Sequence, residues 1–174
     1  MISTDYVVTM ARYNAWQNRQ LVDVVDAMAE AGDAAALTAG RGAFFGSILG
    51  TLNHLLWADH MWMSRLDGWR RPATGLAESP RLHPTPAAWK ADRQRSDGRI
   101  VLWAERLRPA ALRGDLTWIS GATGAEMTRP VALCVMHLFN HQTHHRGQVH
   151  ALLTAAGHDP GTTDLALAPA DALA

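Results

Sequence analysis

Apolar residues recur every three or four positions over long stretches of the sequence, and this spacing constrains the possible fold more than any other feature. Such a period places the recurring residues on one face of an α-helix. Residues 4–30 keep it without interruption, and two positions on the face are asparagines. The residues on this face are Val7, Ala11, Asn14, Asn18, Leu21, Val25 and Met28.

Three further helices are predicted from the same spacing and from signals at their ends. The second is expected over about residues 43–66, followed by an Asp-Gly pair. Thr85-Pro86, a cap followed by a first-turn proline, begins a third helix of about twenty residues that stops before Pro109. The fourth is expected over about residues 130–156, beginning at a proline and ending at a glycine.

Four long helices with neither an internal repeat nor a low-complexity segment predict an all-α fold, an antiparallel four-helix bundle. Residues 115–129 combine a short apolar run with glycines and polar residues, which predicts a short loop or hairpin between the third and fourth helices. The 174 residues amount to one domain, so we expect a single domain over residues 1–174. Prolines, glycines and small residues indicate an extended tail from about residue 158.

The second helix is apolar around most of its circumference. Asn53, His60 and Asp67 are evenly spaced and are expected to form a face toward solvent. Trp57 and Met61 flank the core-facing half, so they would be buried by a homodimer or, equally well, by other parts of one chain. The residues expected to face the core are Phe44, Ile48, Thr51, Leu55, Ala58 and Trp62.

The charge balance argues against nucleic acid as a partner. With 16 Lys and Arg against 16 Asp and Glu the formal net charge is zero, so the chain has no general electropositive field. Eleven of the 16 basic residues nevertheless lie between Arg65 and Arg113, with five acidic residues among them. A solvated surface is the usual explanation for such a run, and attraction of an anionic substrate is the alternative.

A cytoplasmic location without membrane association is expected. The apolar stretches are interrupted within a few residues, far short of the roughly 20 that span a bilayer, and residues 1–5 lack the features of a secretory signal. The one cysteine, Cys134, cannot form an internal disulfide, which fits a reducing compartment, and it excludes zinc sites that need two thiolates. Its place in the fourth helix predicts a core residue.

Nine histidines are many for this length, and histidine is both a common metal ligand and a proton shuttle. His141 and His145 lie four apart, so their imidazoles are one turn apart on the same face of the fourth helix, a pairing found in helical metal sites. His137 and His144 lie near this face, and four imidazoles in one core without a partner would be costly to desolvate. The predicted core-facing stripe is Cys134, Leu138, His141, His145, Gln148 and Leu152.

A third metal ligand must come from another helix, and His54, in the apolar half of the second helix, is the candidate. Alone it would be explained as a hydrogen-bonded core residue, but facing helices of a bundle build metal sites together. Three neutral imidazoles would leave coordination positions for water or substrate, as catalytic sites do. The predicted metal ligands are therefore His54, His141 and His145. His137, His144 and Gln148 are candidates for contacting them. Asp59 is a candidate either for orienting one of these imidazoles or for a salt bridge, and the sequence does not choose between the two roles.

Three segments carry a resemblance to a known family: Tyr13-Asn14-x-Trp16-x-Asn18, residues 47–59 (SILGTLNHLLWAD) and residues 138–148 (LFNHQTHHRGQ). Together they resemble the DinB family, of the DinB/YfiT-like and S-transferase-like superfamily, over essentially the whole chain. The resemblance implies an up-down-down-up four-helix bundle, frequently dimeric. It also implies a divalent metal ion such as zinc or nickel, held by three histidines at the positions of His54, His141 and His145.

The resemblance also extends to a wider superfamily, whose members include enzymes that use a metal to activate a low-molecular-weight thiol. Bacillithiol transferases and mycothiol-dependent maleylpyruvate isomerase are among them. The first hypothesis is therefore a metal-dependent thiol S-transferase or hydrolase, in which the metal lowers the pKa of a thiol or water that attacks a small-molecule substrate. The alternative is a non-enzymatic metal-binding protein of the stress response, which predicts a closed ligand shell or a buried metal with no cavity beside it. The sequence assigns no catalytic residue.

Overall fold

Four long helices and one small hairpin make up most of the computed structural model, which describes residues 2–121 and 123–174. None of the helices in this part of the chain combines the length and the apolarity that a membrane crossing requires. The helices are α1 (Thr4–Glu30), α2 (Ile48–Leu66), α3 (Pro86–Arg106), α4 (Val131–Ala155) and the short α5 (Ala170–Leu173), and the strands are β1 (Asp115–Ile119) and β2 (Glu126–Pro130).

The direction of each helix follows from the contacts along it. α1 is antiparallel to α3 and parallel to α4, whereas α2 is parallel to α3 and antiparallel to α4. This is the up-down-down-up order that the family resemblance implies, and the four-helix bundle is confirmed. The defining contacts are Arg12–Glu105 and Asp26–Lys90 (α1, α3), Leu52–Trp89 and His60–Ser96 (α2, α3), His54–His141 and Trp62–His137 (α2, α4), and Tyr6–Phe139 and Asn14–Arg146 (α1, α4).

The ends of three helices follow their sequence signals. Ser3, Ser47 and Thr85 each precede a helix and accept a hydrogen bond from a backbone N–H of its first turn, which satisfies a donor that has no partner within the helix. The predicted bounds of α1 and α3 are confirmed, and so is the hairpin between α3 and α4.

Helix α2 begins at Ile48 rather than at about residue 43, and the predicted start is wrong. The chain turns sharply before the helix: Gly46 has a φ of 82°, in the region that favours glycine. A Cβ on Gly50 would lie 2.2 Å from the carbonyl oxygen of Phe45, so the turn requires glycine there. Phe44 lies in this turn and is 88 % exposed, which contradicts its predicted place in the core.

The face of α2 that was expected to contact solvent is covered by the connection to α3. Because α2 and α3 run in the same direction, residues 67–85 must return along the length of the bundle. Asn53 is 1 % exposed, and its amide donates hydrogen bonds to the carbonyls of Pro80 and His83 at 3.0 and 2.9 Å. His60 is half-buried and lies 2.8 Å from the hydroxyl of Ser96. The solvent-facing prediction is therefore wrong for Asn53.

Trp57 and Met61 are covered within one chain. Both are buried, Leu82 of the connection packs against them, and the indole of Trp57 donates a hydrogen bond to the carbonyl of Thr74 at 2.9 Å. Of the two explanations for the apolar circumference of α2, burial by the same chain accounts for these two residues. The homodimer stays a prediction.

Burial on α4 is centred about one residue beyond the predicted stripe. Cys134, Leu138 and His145 are buried as expected, whereas His137 and His144 are exposed, so four imidazoles do not share one core. The stripe follows the edge of the buried face instead of its centre. The residues most deeply buried on α4 are Val135, Leu138, Phe139, Gln142, Arg146, Val149 and Leu153.

A buried polar network joins the four long helices. Arg93 of α3 donates to Asp59 of α2 at 2.6 Å, and its second nitrogen lies 2.8 Å from Asp97. Asn18 of α1 donates to Asp97 at 2.8 Å, and Gln142 of α4 donates to Asp59. Asp59 therefore forms an ion pair in the core of the bundle, which is one of the two roles that the sequence left open. Its hydrogen-bond partners are Arg93 and Gln142, not His54, His141 or His145.

The C-terminal tail packs along α1. Tyr13 donates a hydrogen bond from its hydroxyl to the carbonyl of Thr163 at 2.6 Å, and Gln17 donates to that of Thr162 at 2.9 Å. The tail is extended at first, then forms a 3-10 turn at Leu165–Leu167 and the short α5. Tyr13 of the Tyr-Asn-x-Trp segment therefore contacts the tail, whereas Asn14 of the same segment accepts a hydrogen bond from Arg146 of α4.

Candidate metal centre

The structure brings together the three histidines that the sequence singles out. His54 lies on α2, and His141 and His145 lie one turn apart on the antiparallel α4, at the same level of the bundle. One ring nitrogen from each lies within 4.8 Å of the others, and the Nε2 atoms of His54 and His141 are 3.3 Å apart. A group of nitrogens this close could hold a metal ion.

The tautomer of His54 is fixed by Ser79, in the connection that covers α2. The Oγ of Ser79 donates its proton to the carbonyl of Leu76 at 2.7 Å, so it accepts from the Nδ1–H of His54 at 2.9 Å. The Nε2 of His54 therefore carries a lone pair, and that lone pair faces the other two imidazoles. Ser79 is 0 % exposed, and nothing in its sequence context indicated this contact.

Gln148 plays the same part for His145. Its amide oxygen can only accept, and it lies 2.7 Å from the Nδ1 of His145, so that nitrogen carries the proton and the Nε2 carries the lone pair. The amide nitrogen of Gln148 lies 3.3 Å from the Nε2 of His144. Gln148 thus contacts a candidate ligand, as the sequence suggested, and the ring of His144 meets that of His145 edge-on with the centroids 4.7 Å apart.

Burial keeps the three imidazoles neutral. Desolvation, followed by the neighbouring charge of His145, lowers the pKa of His54 to about 3. Desolvation also comes first for His141, whose pKa falls to about 3 with the help of His145 and His54. The pKa of His145 is lowered too, chiefly by desolvation. At neutral pH all three therefore offer lone pairs, which a metal requires of histidine.

The donor set and its spacing fit a divalent ion. Two nitrogens bound at about 2.0–2.1 Å to a tetrahedral ion lie about 3.3 Å apart, close to the observed separation of the Nε2 atoms of His54 and His141. Hydrogen bonds that fix the tautomer of a ligating histidine are typical partners in such sites. Three nitrogens suit zinc, nickel, copper and iron alike, so the site does not select among them.

Phe45 covers one side of the cluster. Its ring stacks on His54 with the centroids 3.7 Å apart and meets His145 edge-on at 5.3 Å. The ring is held there by the turn before α2, a segment that the periodicity assigned to the helix. Sequence reasoning missed this contact because the helix was expected to begin earlier.

The remaining histidines lie away from the cluster or at its edge. His137 is exposed, with its ring 5.7 Å from that of His141 and 5.0 Å from Trp62. His60 and His83 both contact Asp92 on α3. His60 contacts α3 from α2 and His83 contacts it from the connection, and both lie outside the group of three histidines.

A cavity of about 800 Å³ opens beside the histidines. α2, α4, the hairpin and the connection after α2 each contribute a wall. A cavity at this place does not agree with the non-enzymatic alternative, which predicts a metal site without one. The residues that line it are His54, Trp57, Ala58, Met61, Trp62, Arg65, Arg71, Thr74, Gly75, Leu76, Trp118, Ser120, Gly121, Met127, Arg129, Leu133, Cys134, His137 and His141.

Cys134 lies in a wall of this cavity. It is buried, as predicted, with 3 % of its surface exposed. Burial raises the pKa of its thiol, against the opposing effect of Arg65 and Arg129. A thiol that stays protonated at neutral pH is a weak nucleophile, so its chemistry agrees with a structural role.

The comparisons with known proteins identify one family. The family model described as the DinB family matches residues 1–172, nearly the whole chain. A search of curated proteins and a search of solved structures gave no match.

Proposed function

The chain belongs to the DinB family, and on this premise we propose that it is a metal-dependent enzyme that activates a low-molecular-weight thiol, or water, for attack on an electrophilic small molecule. One observation carries the proposal: His54 and His141, neutral and with ligand nitrogens 3.3 Å apart, line a cavity of about 800 Å³. A structural metal site needs no such space.

The proposed ligands are His54, His141 and His145, and a divalent ion held by them would supply the Lewis acidity that lowers the pKa of a thiol or of water. Ser79 and Gln148 hold two of the rings in the tautomer that presents Nε2. Phe45 shields the same rings from solvent on one side. The cavity walls hold the electrophile, and its size suits a small-molecule substrate.

In the thiol reaction the S–H bond breaks and its proton goes to solvent, since no base is assigned. The sulfur lone pair forms a bond to the electrophilic carbon, and the leaving group departs with the bonding electrons. The sulfur comes from outside the chain, because the thiol of Cys134 has a raised pKa and lies in a wall. With water in place of the thiol the same step is hydrolysis.

The first test is the metal content of the purified protein and of protein reloaded with zinc or nickel. We expect about one ion per chain, and a loss of about tenfold or more in metal affinity for each of H54A, H141A and H145A. The matched control is His150→Ala, on the same helix but outside the cluster. Unchanged metal content in all three variants would remove the metal centre from the proposal.

The second test is a transfer assay with the metal-loaded protein. Thiols such as cysteine and glutathione are supplied with 1-chloro-2,4-dinitrobenzene, and the thioether product is followed by its absorbance. We expect turnover that disappears with chelation and in H141A. If metal binds but neither thiol transfer nor ester hydrolysis is found, a non-enzymatic metal-binding protein of the stress response becomes the better proposal.

Two further features belong to this proposal. We place the protein in the cytoplasm, where low-molecular-weight thiols are kept reduced. We also keep the homodimer of the family resemblance, although Trp57 and Met61 are already buried within one chain. Size-exclusion chromatography with light scattering decides this point, and a monomer at micromolar concentration contradicts the dimer.

A further inference from the structure

Three arginines from three different segments line the cavity that reaches the histidines. Arg65 is in the last turn of α2, Arg71 is in the connection that follows, and Arg129 is on β2. Arg65 comes eleven residues after His54 on the same helix, a distance of about 16 Å along the axis. The arginines and the histidines therefore mark two separate parts of one cavity.

These arginines differ from Arg93 of the core in their ion pairing. In the part of the chain that the structure describes, Arg65, Arg71 and Arg129 form no ion pair. The described lining of the cavity also contains no aspartate or glutamate. By contrast, Arg93 in the core pairs with two carboxylates. The cavity therefore carries uncompensated positive charge in a chain whose net charge is zero.

The position of Arg65 is fixed by two aromatic rings. Its guanidinium carbon lies 4.6 Å from the ring centre of Trp62 and 5.3 Å from that of Trp118. The two indoles meet edge-on at 5.5 Å, so α2 and β1 hold the guanidinium jointly. Cation–π contacts leave the N–H groups of an arginine free to donate to another partner.

The register of the hairpin places Arg129 on the cavity side. Trp118 on β1 pairs with Met127 on β2, and side chains two apart on a strand share a face. Met127 and Arg129 therefore lie on the same face as Trp118, and all three line the cavity. The hairpin therefore contributes both a charged and an apolar group to the cavity.

We propose that Arg65, Arg71 and Arg129 form an anion subsite that binds the acidic group of an elongated, partly apolar small molecule. The acidic group is a carboxylate, a sulfonate or a phosphate, each of which matches the donors of guanidinium groups. The apolar part lies between the arginines and the histidines, against Met61, Trp62 and Trp118. This rests on the proposed function only in placing the reactive end at the histidines, since anion binding itself needs no metal.

The mutual effects of these charges agree with the proposal. Burial, and then the charge of Arg71, lowers the pKa of Arg65, so the two guanidinium groups repel each other in the free protein. Arg65 and Arg129 both act on the thiol of Cys134, which places them around the same wall. An anion between such groups removes the repulsion and gains charge-assisted hydrogen bonds.

The test uses two fluorescent probes that share one aromatic skeleton. 1-Anilinonaphthalene-8-sulfonate carries a sulfonate, and N-phenyl-1-naphthylamine is its neutral counterpart. Binding is measured on the full chain after chelation, so that the result does not depend on the metal centre. The triple variant R65M/R71M/R129M keeps apolar stems and removes the charges, and Arg19→Met, exposed on α1, is the control for net charge.

We expect the triple variant to bind the sulfonate at least about tenfold more weakly, with the neutral probe changed less than about twofold. Arg71→Met and Arg129→Met alone, at exposed positions, should each give part of the loss even if the triple variant folds poorly. Carboxylates, sulfonates and phosphates with short alkyl tails should displace the sulfonate probe from the wild type. Equal losses for both probes, or none for the sulfonate, overturn the subsite.

The probe-binding test of the anion subsite and the metal-binding test of the proposed function can fail independently. Selective loss of sulfonate binding in a protein that never takes up metal supports the subsite and contradicts the metal centre. Normal metal binding together with unselective probe binding does the reverse.

Discussion

The Nε2 atoms of His54 and His141 lie 3.3 Å apart across the interface of α2 and α4. Burial lowers the pKa of both imidazoles, so both are neutral at neutral pH. The Nδ1 proton of His54 is held by Ser79, so its lone pair points toward His141. Two neutral bases placed this way gain little from each other beyond one weak hydrogen bond. Their arrangement is typical of two ligands of one cation, and it makes the contacts around the rings the most informative ones to change.

Ser79→Ala tests whether this serine positions His54. The substitution removes the acceptor of the Nδ1–H, so the ring can rotate or change tautomer. We expect metal affinity to fall by about tenfold while the helical content stays the same. The measurement is competition with a fluorescent zinc chelator. Ser64→Ala, which removes a hydroxyl that donates to the carbonyl of Met61 on its own helix, is the control, and an equal loss there contradicts the positioning role.

Gln148 offers a rescue experiment. Gln148→Met keeps the length of the side chain but removes the acceptor for the Nδ1–H of His145, so metal affinity should fall by about tenfold or more. Gln148→Glu restores an acceptor with a full charge and should recover the affinity of the wild type or exceed it. If the Met and Glu variants bind metal equally well, the hydrogen bond to Gln148 does not tune the site.

The distribution of correct and wrong sequence predictions follows from what each signal reports. Helix periodicity and end signals are local, so they located α1 and α3 and the paired histidines of α4. The start of α2 depends instead on a close approach of the Phe45 carbonyl to Gly50, which no periodicity records. Asn53 was assigned to solvent because polar residues recur every seven positions along that face of α2. The connection that covers Asn53 runs where it does because α2 and α3 point in the same direction, which is a property of the whole bundle.

The candidate site divides in the same way. The three histidines were identified because His141 and His145 lie four apart on one helix face and His54 lies in the apolar half of another helix. Ser79 and Phe45 were missed because no pattern in the sequence around them indicates a contact with a histidine, and only the folded connection and turn place them beside the rings. The three cavity arginines lay inside or near a basic stretch for which the sequence left two explanations open. Their convergence on one cavity depends on the hairpin register and on the route of the connection.

Gly50→Ala tests the tight turn before α2. The new Cβ would lie 2.2 Å from the Phe45 carbonyl oxygen, a distance that requires the backbone to move. We expect the free energy of unfolding to fall by about 2–4 kcal/mol, measured by urea denaturation. Gly98→Ala, in α3 with open space around the new atom, should instead be neutral or stabilise by up to about 1 kcal/mol. Similar values for the two variants contradict the close approach.

Asp97 gives the fold a pH dependence of defined sign. Its carboxyl faces Arg93 on its own helix and Asn18 on α1, and it interacts with Asp59 on α2 and Arg146 on α4. Desolvation raises the pKa of Asp97 to about 6, although Arg93 and Asn18 oppose the rise. Because this pKa exceeds that of the unfolded chain, the folded state binds more protons between about pH 4 and 6. The contribution of Asp97 to stability therefore decreases as the pH rises through this window.

Asp97→Asn should remove that decrease, since the amide stays neutral and can still accept from Asn18. We expect wild-type protein to lose up to about 3 kcal/mol relative to D97N between about pH 4 and pH 7, because one pKa unit corresponds to about 1.4 kcal/mol. The measurement is urea denaturation of the chelated protein at a series of pH values. Asp23→Asn, at an exposed position of α1, should leave the wild-type slope unchanged. Parallel curves for D97N and the wild type would mean that Asp97 stays ionised throughout, with Arg93 fully compensating the cost of its burial.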